Sequence, residues 1–106
     1  MLSGVKSSSF KREAGRELFD ADRVGAKIVL RYWRAGDRFQ PIGLPSATKL
    51  QDWFTNRKIS ATKRRQLVLA ENERGEVFWV EGERIGEGCK VLAGTRRTLE
   101  LRWKRV

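Results

Sequence analysis

The sequence predicts an α+β domain: a small β-sandwich or antiparallel sheet of short strands, with two short helices after a Gly-Asp-Arg-Phe loop. Three observations predict it. Thr98 to Arg105 alternates, with Leu99, Leu101 and Trp103 inward and Glu100, Arg102 and Lys104 outward, the period of a half-buried strand. Lys27 to Arg34 has the same period, placing Ile28, Leu30 and Tyr32 on one face and Val29, Arg31 and Trp33 on the other. Leu50, Trp53 and Phe54 instead recur at i, i+3 and i+4, which gives a helix one apolar stripe. A chain of 106 residues holds one modest core, so a single domain is expected.

Residues 1–12 are polar, include Ser7-Ser8-Ser9, and read as a flexible arm before a domain spanning 13–106. Glu17 to Ala21 has a short strand's composition, and Asp22-Arg23-Val24-Gly25 is a turn signal. After the Lys27–Arg34 strand, Ala35-Gly36-Asp37-Arg38 turns the chain. Gln40 to Pro45, with Pro41, Gly43 and Pro45, excludes regular structure. Thr48 is placed to cap the first helix, with Gln51 as the reciprocal partner of a capping box. A second helix is expected from Ser60, carrying Lys63, Arg64 and Arg65 in its first turns, where positive charge opposes the helix dipole.

The remainder reads as β-structure. Gln66 to Ala70 is a strand, and Asn72-Glu73-Arg74-Gly75 is a hairpin turn with glycine where φ is positive. Glu76 to Val80 is apolar on both sides, which predicts a central strand. Glycines 82, 86 and 88 break the next segment, leaving room for one or two short strands between Arg84 and Val91.

Composition removes several function classes. With no histidine, imidazole acid–base catalysis and Ser/His or Cys/His nucleophile systems are excluded. The lone Cys89 forms no intrachain disulfide and reads as a small half-buried strand residue in a reducing compartment. No GxxxxGK[ST] or GxGxxG occurs, and the glycines at 82, 86 and 88 open no helix, so a phosphate-cradling nucleotide loop is not expected. Asp37 lies in a turn whose amides it can accept, and Asp52 beside Lys49 can pair with a cation. Neither is read as catalytic. No apolar run approaches the ~20 residues of a membrane span. The opening MLSGVKSSSF lacks a signal peptide's apolar centre, so the expected compartment is the cytoplasm.

The net charge of +10 points to a polyanionic partner, nucleic acid before any membrane surface. The charge is also polarised along the chain: +7 over residues 30–66, −4 over 67–89 and +5 over 90–106. Arg31, Arg34, Arg38, Lys49, Lys58, Lys63, Arg64 and Arg65 are therefore the candidate phosphate contacts, with no catalytic residue and no metal ligand beside them. Of the aromatics among them, Trp53 and Phe54 belong to the helix stripe and Phe39 plugs its loop onto the body. Trp33 stays open between core and surface.

The order of these features resembles the C-terminal domain of tRNA(Ile)-lysidine synthetase. That family carries an arginine-rich strand followed by spaced motifs. They stand here as Gly36-Asp37-Arg38-Phe39-Gln40-Pro41-Ile42-Gly43, Lys49-Leu50-Gln51-Asp52-Trp53-Phe54, Lys58-Ile59 and Arg64. Phe19-Asp20-Ala21-Asp22 upstream, and Val77 to Val80, Gly82-Glu83-Arg84-Ile85 and Lys90-Val91 downstream, extend the likeness over residues 16 to 103. One departure is Ser60, where the family usually has proline.

The resemblance implies a small, unusually connected β-sandwich related to a domain of the phenylalanyl-tRNA synthetase β chain. It implies a non-catalytic module that grips the body or acceptor arm of an isoleucine tRNA with a CAU anticodon. An N-terminal domain, using ATP and Mg²⁺, would join lysine to the anticodon cytidine, and this domain itself would take no cofactor. The competing reading is an interdomain packing module that docks on its own catalytic domain, which a large exposed apolar patch beside the basic face would favour.

Overall fold

The computed structural model describes residues 2–5 and 15–104. Among them are eight strands and three short α-helices. In chain order these are β1 (Leu2–Val5), β2 (Arg16–Asp20), α1 (Ala21–Val24), β3 (Val29–Tyr32), β4 (Arg38–Phe39), β5 (Thr48–Lys49), α2 (Leu50–Asn56), α3 (Ala61–Gln66), β6 (Val68–Glu71), β7 (Val77–Val80) and β8 (Thr98–Arg102). The expected α+β class of short antiparallel strands is what forms. The strands make two three-stranded sheets, ordered β1-β8-β2 and β3-β6-β7, and a two-stranded ribbon of β4 and β5. All ladders are antiparallel. The arm expected over residues 1–12 contributes Leu2–Val5 to the first sheet, and its other residues lie outside the described ones.

Two apolar cores result, on opposite faces of β3-β6-β7. Alternation along β6 sends Val68 and Ala70 to one core and Leu67 and Leu69 to the other. The first core joins the two large sheets through Phe19, Phe78, Trp79 and Leu101, with Phe19 and Phe78 edge-to-face at 4.9 Å. The second sits under the ribbon and α2, through Phe39, Leu50, Phe54, Val77 and Val80. A register shift between Ala70 and Glu71 pairs Glu71 with Val77 and leaves Phe78 without a ladder partner on β6. That bulge is why the neighbours Phe78 and Trp79 both reach the first core.

Several local expectations are corrected. The Asp22–Gly25 turn is a single helical turn, because the Asp20 carboxylate accepts from the amides of Asp22 (3.0 Å) and Arg23 (3.2 Å). Thr48 is not a helix cap: it pairs with Phe39 in the ribbon, Lys49 takes the N-cap position, and no side chain caps α2. The Leu50 amide donates instead to the Asp37 carbonyl at 2.9 Å. Gln66 closes α3 and so starts no strand. β7 lies at a sheet edge and not at its centre. Its side chains are buried on both faces because each face carries a core, and Gly86 N–H donates to the Phe78 carbonyl along its outer edge.

Arg84 to Val91 forms no named strand. It makes one bridge between Gly86 and Pro41 and a 3-10 turn at Glu87–Cys89. Glu100 is buried, not outward, since β8 runs between β1 and β2. Arg102 and Arg16 pair with its carboxylate, the Arg102 hydrogen bond first in holding it below the usual carboxylate range.

Candidate nucleic-acid interface

The basic stretch divides into cations that hold the fold and cations that face solvent. Arg31 belongs to the first kind. Asp37, six residues on, accepts both guanidinium Nη atoms at 2.8 Å, and Glu71 on β6 accepts Nε. Its side chain is only 16% exposed. Asp37 also accepts the Arg34 amide at 2.7 Å, so this carboxylate closes its own turn as expected, while its backbone carbonyl receives α2. Burial alone pushes the Asp37 carboxyl up, but the hydrogen bonds from Arg31 and the Arg34 amide outweigh it and leave the group below its ordinary value. The Arg31 guanidinium is driven the other way, chiefly by its hydrogen bond to Asp37. Arg34 remains 69% exposed, with one loose contact to Glu71 at 3.7 Å.

Arg38 and Lys49 are direct register partners in the β4–β5 ribbon, and both are exposed. Opposed residues of an antiparallel pair stand about 5 Å apart at Cβ, and like charges there are destabilising. Among the described residues Arg38 hydrogen-bonds the Ala47 carbonyl alone, at a long 3.5 Å.

Lys58 is the one described non-glycine residue with positive φ, at 57°. The reason is a Schellman ending of α2: Lys58 N–H donates to the Thr55 carbonyl (3.0 Å) and Ile59 N–H to the Phe54 carbonyl (2.9 Å). That position normally takes glycine, and a lysine costs about 1 kcal/mol there. Ser60, the departure from the family's proline, caps α3 by accepting the Lys63 amide at 3.2 Å.

The expected conflict with the helix dipole does not occur. α3 is only six residues long, so Lys63, Arg64 and Arg65 fall in its last turn, where cations are favoured. Lys63 and Arg65 are exposed. Arg64 is half-buried, donating to the Ile59 carbonyl at 2.8 Å and lying 5.7 Å from the Phe54 ring centroid.

The aromatics interleaved with these cations serve the cores. Trp33 stands edge-on to Phe54 at 5.7 Å, and Phe39 to Trp53 at 5.6 Å. The ring that sequence reasoning missed is Tyr32, 62% exposed at the end of β3. Alternation put it on a core-bound face with Leu30. Only the position of β3 at the edge of its sheet leaves that end of the face open.

The exposed cations of the stretch, Arg34, Arg38, Lys49, Lys58, Lys63 and Arg65, are spread over the β3 end, the ribbon, the α2 end and α3. Asp52 is exposed on α2. Cys89 is buried, and burial pushes its thiol above the ordinary value, away from the nucleophilic thiolate. Among the described residues no group of three or more His, Cys, Asp or Glu side chains could hold a metal ion. None of their helices is long and apolar enough to cross a membrane.

A family model described as the TilS substrate C-terminal domain matches residues 28–103. The chain is 39% identical over 87 residues to a tRNA(Ile)-lysidine synthase of Clostridium acetobutylicum, covering 82% of this chain and 19% of that protein. It is 38% identical over 89 residues to one of Bacteroides thetaiotaomicron, covering 83% and 20%. The chain therefore spans about a fifth of the length of these relatives. A crystal structure of a TilS C-terminal domain superposes with a TM-score of 0.81 at 22% identity, over 96% of this chain and 79% of that one. An N-terminal fragment of the phenylalanyl-tRNA synthetase β-subunit from Pyrococcus horikoshii shares the fold, with a TM-score of 0.67 at 17% identity, over 84% and 28%.

Proposed function

Since the chain belongs to the TilS substrate C-terminal domain family, we propose that it is the RNA-gripping module of a tRNA(Ile)-lysidine synthase and holds an isoleucine tRNA by its phosphates. The observation that carries this reading is the opposition of Arg38 and Lys49. Two exposed cations face each other across a two-residue ladder, an arrangement that repels until an anion sits between them. Arg34, Lys58, Lys63 and Arg65 would add contacts from neighbouring elements. Arg31 and Arg64 would act mainly by fixing the elements that carry the others.

In this reading the module sets affinity and orientation on the body or acceptor arm of the tRNA. Lysine transfer to the anticodon cytidine, with its ATP and Mg²⁺, belongs to the catalytic part of the enzyme. Fluorescence anisotropy with an isoleucine tRNA at several salt concentrations tests it. Affinity should fall steeply as salt rises, with a log–log slope near the number of phosphates contacted. No binding at low salt, or a flat salt response, overturns the proposal. The docking reading has the exposed Val29, Leu30 and Tyr32 in its favour and requires the flat response.

Lys58→Gly separates binding from folding. Relief of the left-handed lysine should raise stability by up to about 1 kcal/mol in urea unfolding, while tRNA affinity falls several-fold. A variant that gains stability with no loss of affinity would remove Lys58 from the interface.

A further inference from the structure

We infer that Tyr32 and Leu30 form a stacking platform for an unpaired nucleotide of the bound RNA. This deepens the RNA-binding reading and rests on it. Among the described residues Tyr32 is the one exposed aromatic side chain, at 62%, and Leu30 on the same face is 54% exposed. Their register partners on β6 are Val68, half-buried, and Ala70, fully buried, so the two side chains continue an apolar sheet face beyond the edge of the first core. An exposed ring on a sheet face is how proteins receive splayed-out bases, since every base offers a π-face.

The platform is also held rigid. The Tyr32 carbonyl accepts from Arg31 Nη1 at 3.0 Å, and that guanidinium is fixed by Asp37 and Glu71. The ring therefore stands on backbone anchored at its strand end, and stacking orders little besides the ring itself.

Charge selects the occupant. Arg31 is neutralised by its two carboxylates, but Lys27 before the strand and Arg34 after it are both exposed. An apolar pair bracketed by exposed cations, Arg34 held only loosely by Glu71, suits a base with its flanking phosphates. An apolar protein segment seated there would be met by those cations with nothing to offset them.

The test compares two RNA hairpins, one with a single-stranded tail bearing a fluorescent purine analogue and one blunt-ended. Tyr32→Ala should weaken binding of the tailed hairpin about tenfold, abolish fluorescence quenching of the analogue, and leave the blunt hairpin and the salt slope unchanged. Tyr32→Phe should bind like the wild type. Because the ring is mostly exposed, circular dichroism and thermal unfolding of Tyr32→Ala should match the wild type. The inference is overturned if Tyr32→Ala binds the tailed hairpin as tightly as the wild type, as a protein-docking surface would require. It is equally overturned if both hairpins weaken together. A wild-type chain that binds neither hairpin instead overturns the RNA-binding reading itself.

Discussion

Replacing Asp37 with alanine should destabilise the domain by about 3 kcal/mol, the lower end of the range for breaking a largely buried ion pair. The carboxylate performs three tasks at once: it holds Arg31 through two bonds of 2.8 Å, accepts the Arg34 amide at 2.7 Å, and belongs to the residue whose carbonyl receives α2. Alanine keeps the carbonyl but leaves Arg31 with Glu71 alone, and the turn loses its acceptor. Urea unfolding followed by tryptophan fluorescence measures the loss, and a change below about 1 kcal/mol would reduce the clamp to an ordinary surface pair.

The same group predicts a pH response. Its folded pKa lies below the ordinary 3.8, so its contribution is complete at neutral pH and drains as pH falls through 3.8 toward the folded value. Asp37→Ala should remove that part of the acid sensitivity. Its stability will lie closer to the wild type at acid pH than at neutral pH.

Removing Arg38, Lys49, Lys63 and Arg65 together, each to alanine, should lower tRNA affinity on the order of a hundredfold at low salt. The salt slope should fall by about one for each cation that touches a phosphate. Stability should not fall with it. These side chains are exposed, and separating Arg38 from Lys49 removes a repulsion worth a few tenths of a kcal/mol. Arg31→Ala should behave in the opposite way, with a clear loss of stability and little direct change in slope. A quadruple variant that unfolds, or one that keeps the wild-type slope, would refute the division between structural and ligand-facing cations.

Local pattern carried the fold class. The alternation at Leu99 and Leu101 and the stripe of Leu50 and Phe54 each placed a correct element, because both periods are properties of a few consecutive residues. Pairing across long separations was not legible. Glu100 reads as solvent-facing until β1 and β2 are known to flank it, and β7 reads as central until the cores on both its faces are seen. The site divides in the same way. Composition marked the stretch from Arg31 to Arg65 but could not tell a clamped arginine from a free one, since the acids that fix Arg31 lie 6 and 40 residues away. Tyr32 escaped notice for a related reason: its period is that of a core residue, and only the edge position of β3 exposes it.

The placement of β3-β6-β7 between two cores also shapes how the domain breathes. One core ties this sheet to β1-β8-β2, and the other ties it to the ribbon and α2. The helical side carries the exposed Arg38, Lys49, Lys58, Lys63 and Arg65, and its core lies on the face of the sheet opposite the inter-sheet core, so it is expected to open while the inter-sheet side stays closed. Amide protection will therefore be deepest along β6, which both halves share, and shallowest in α3, which has no fully buried residue. The ribbon and helix cations proposed to meet phosphates would then sit on the more yielding side, able to adjust without loosening the inter-sheet core.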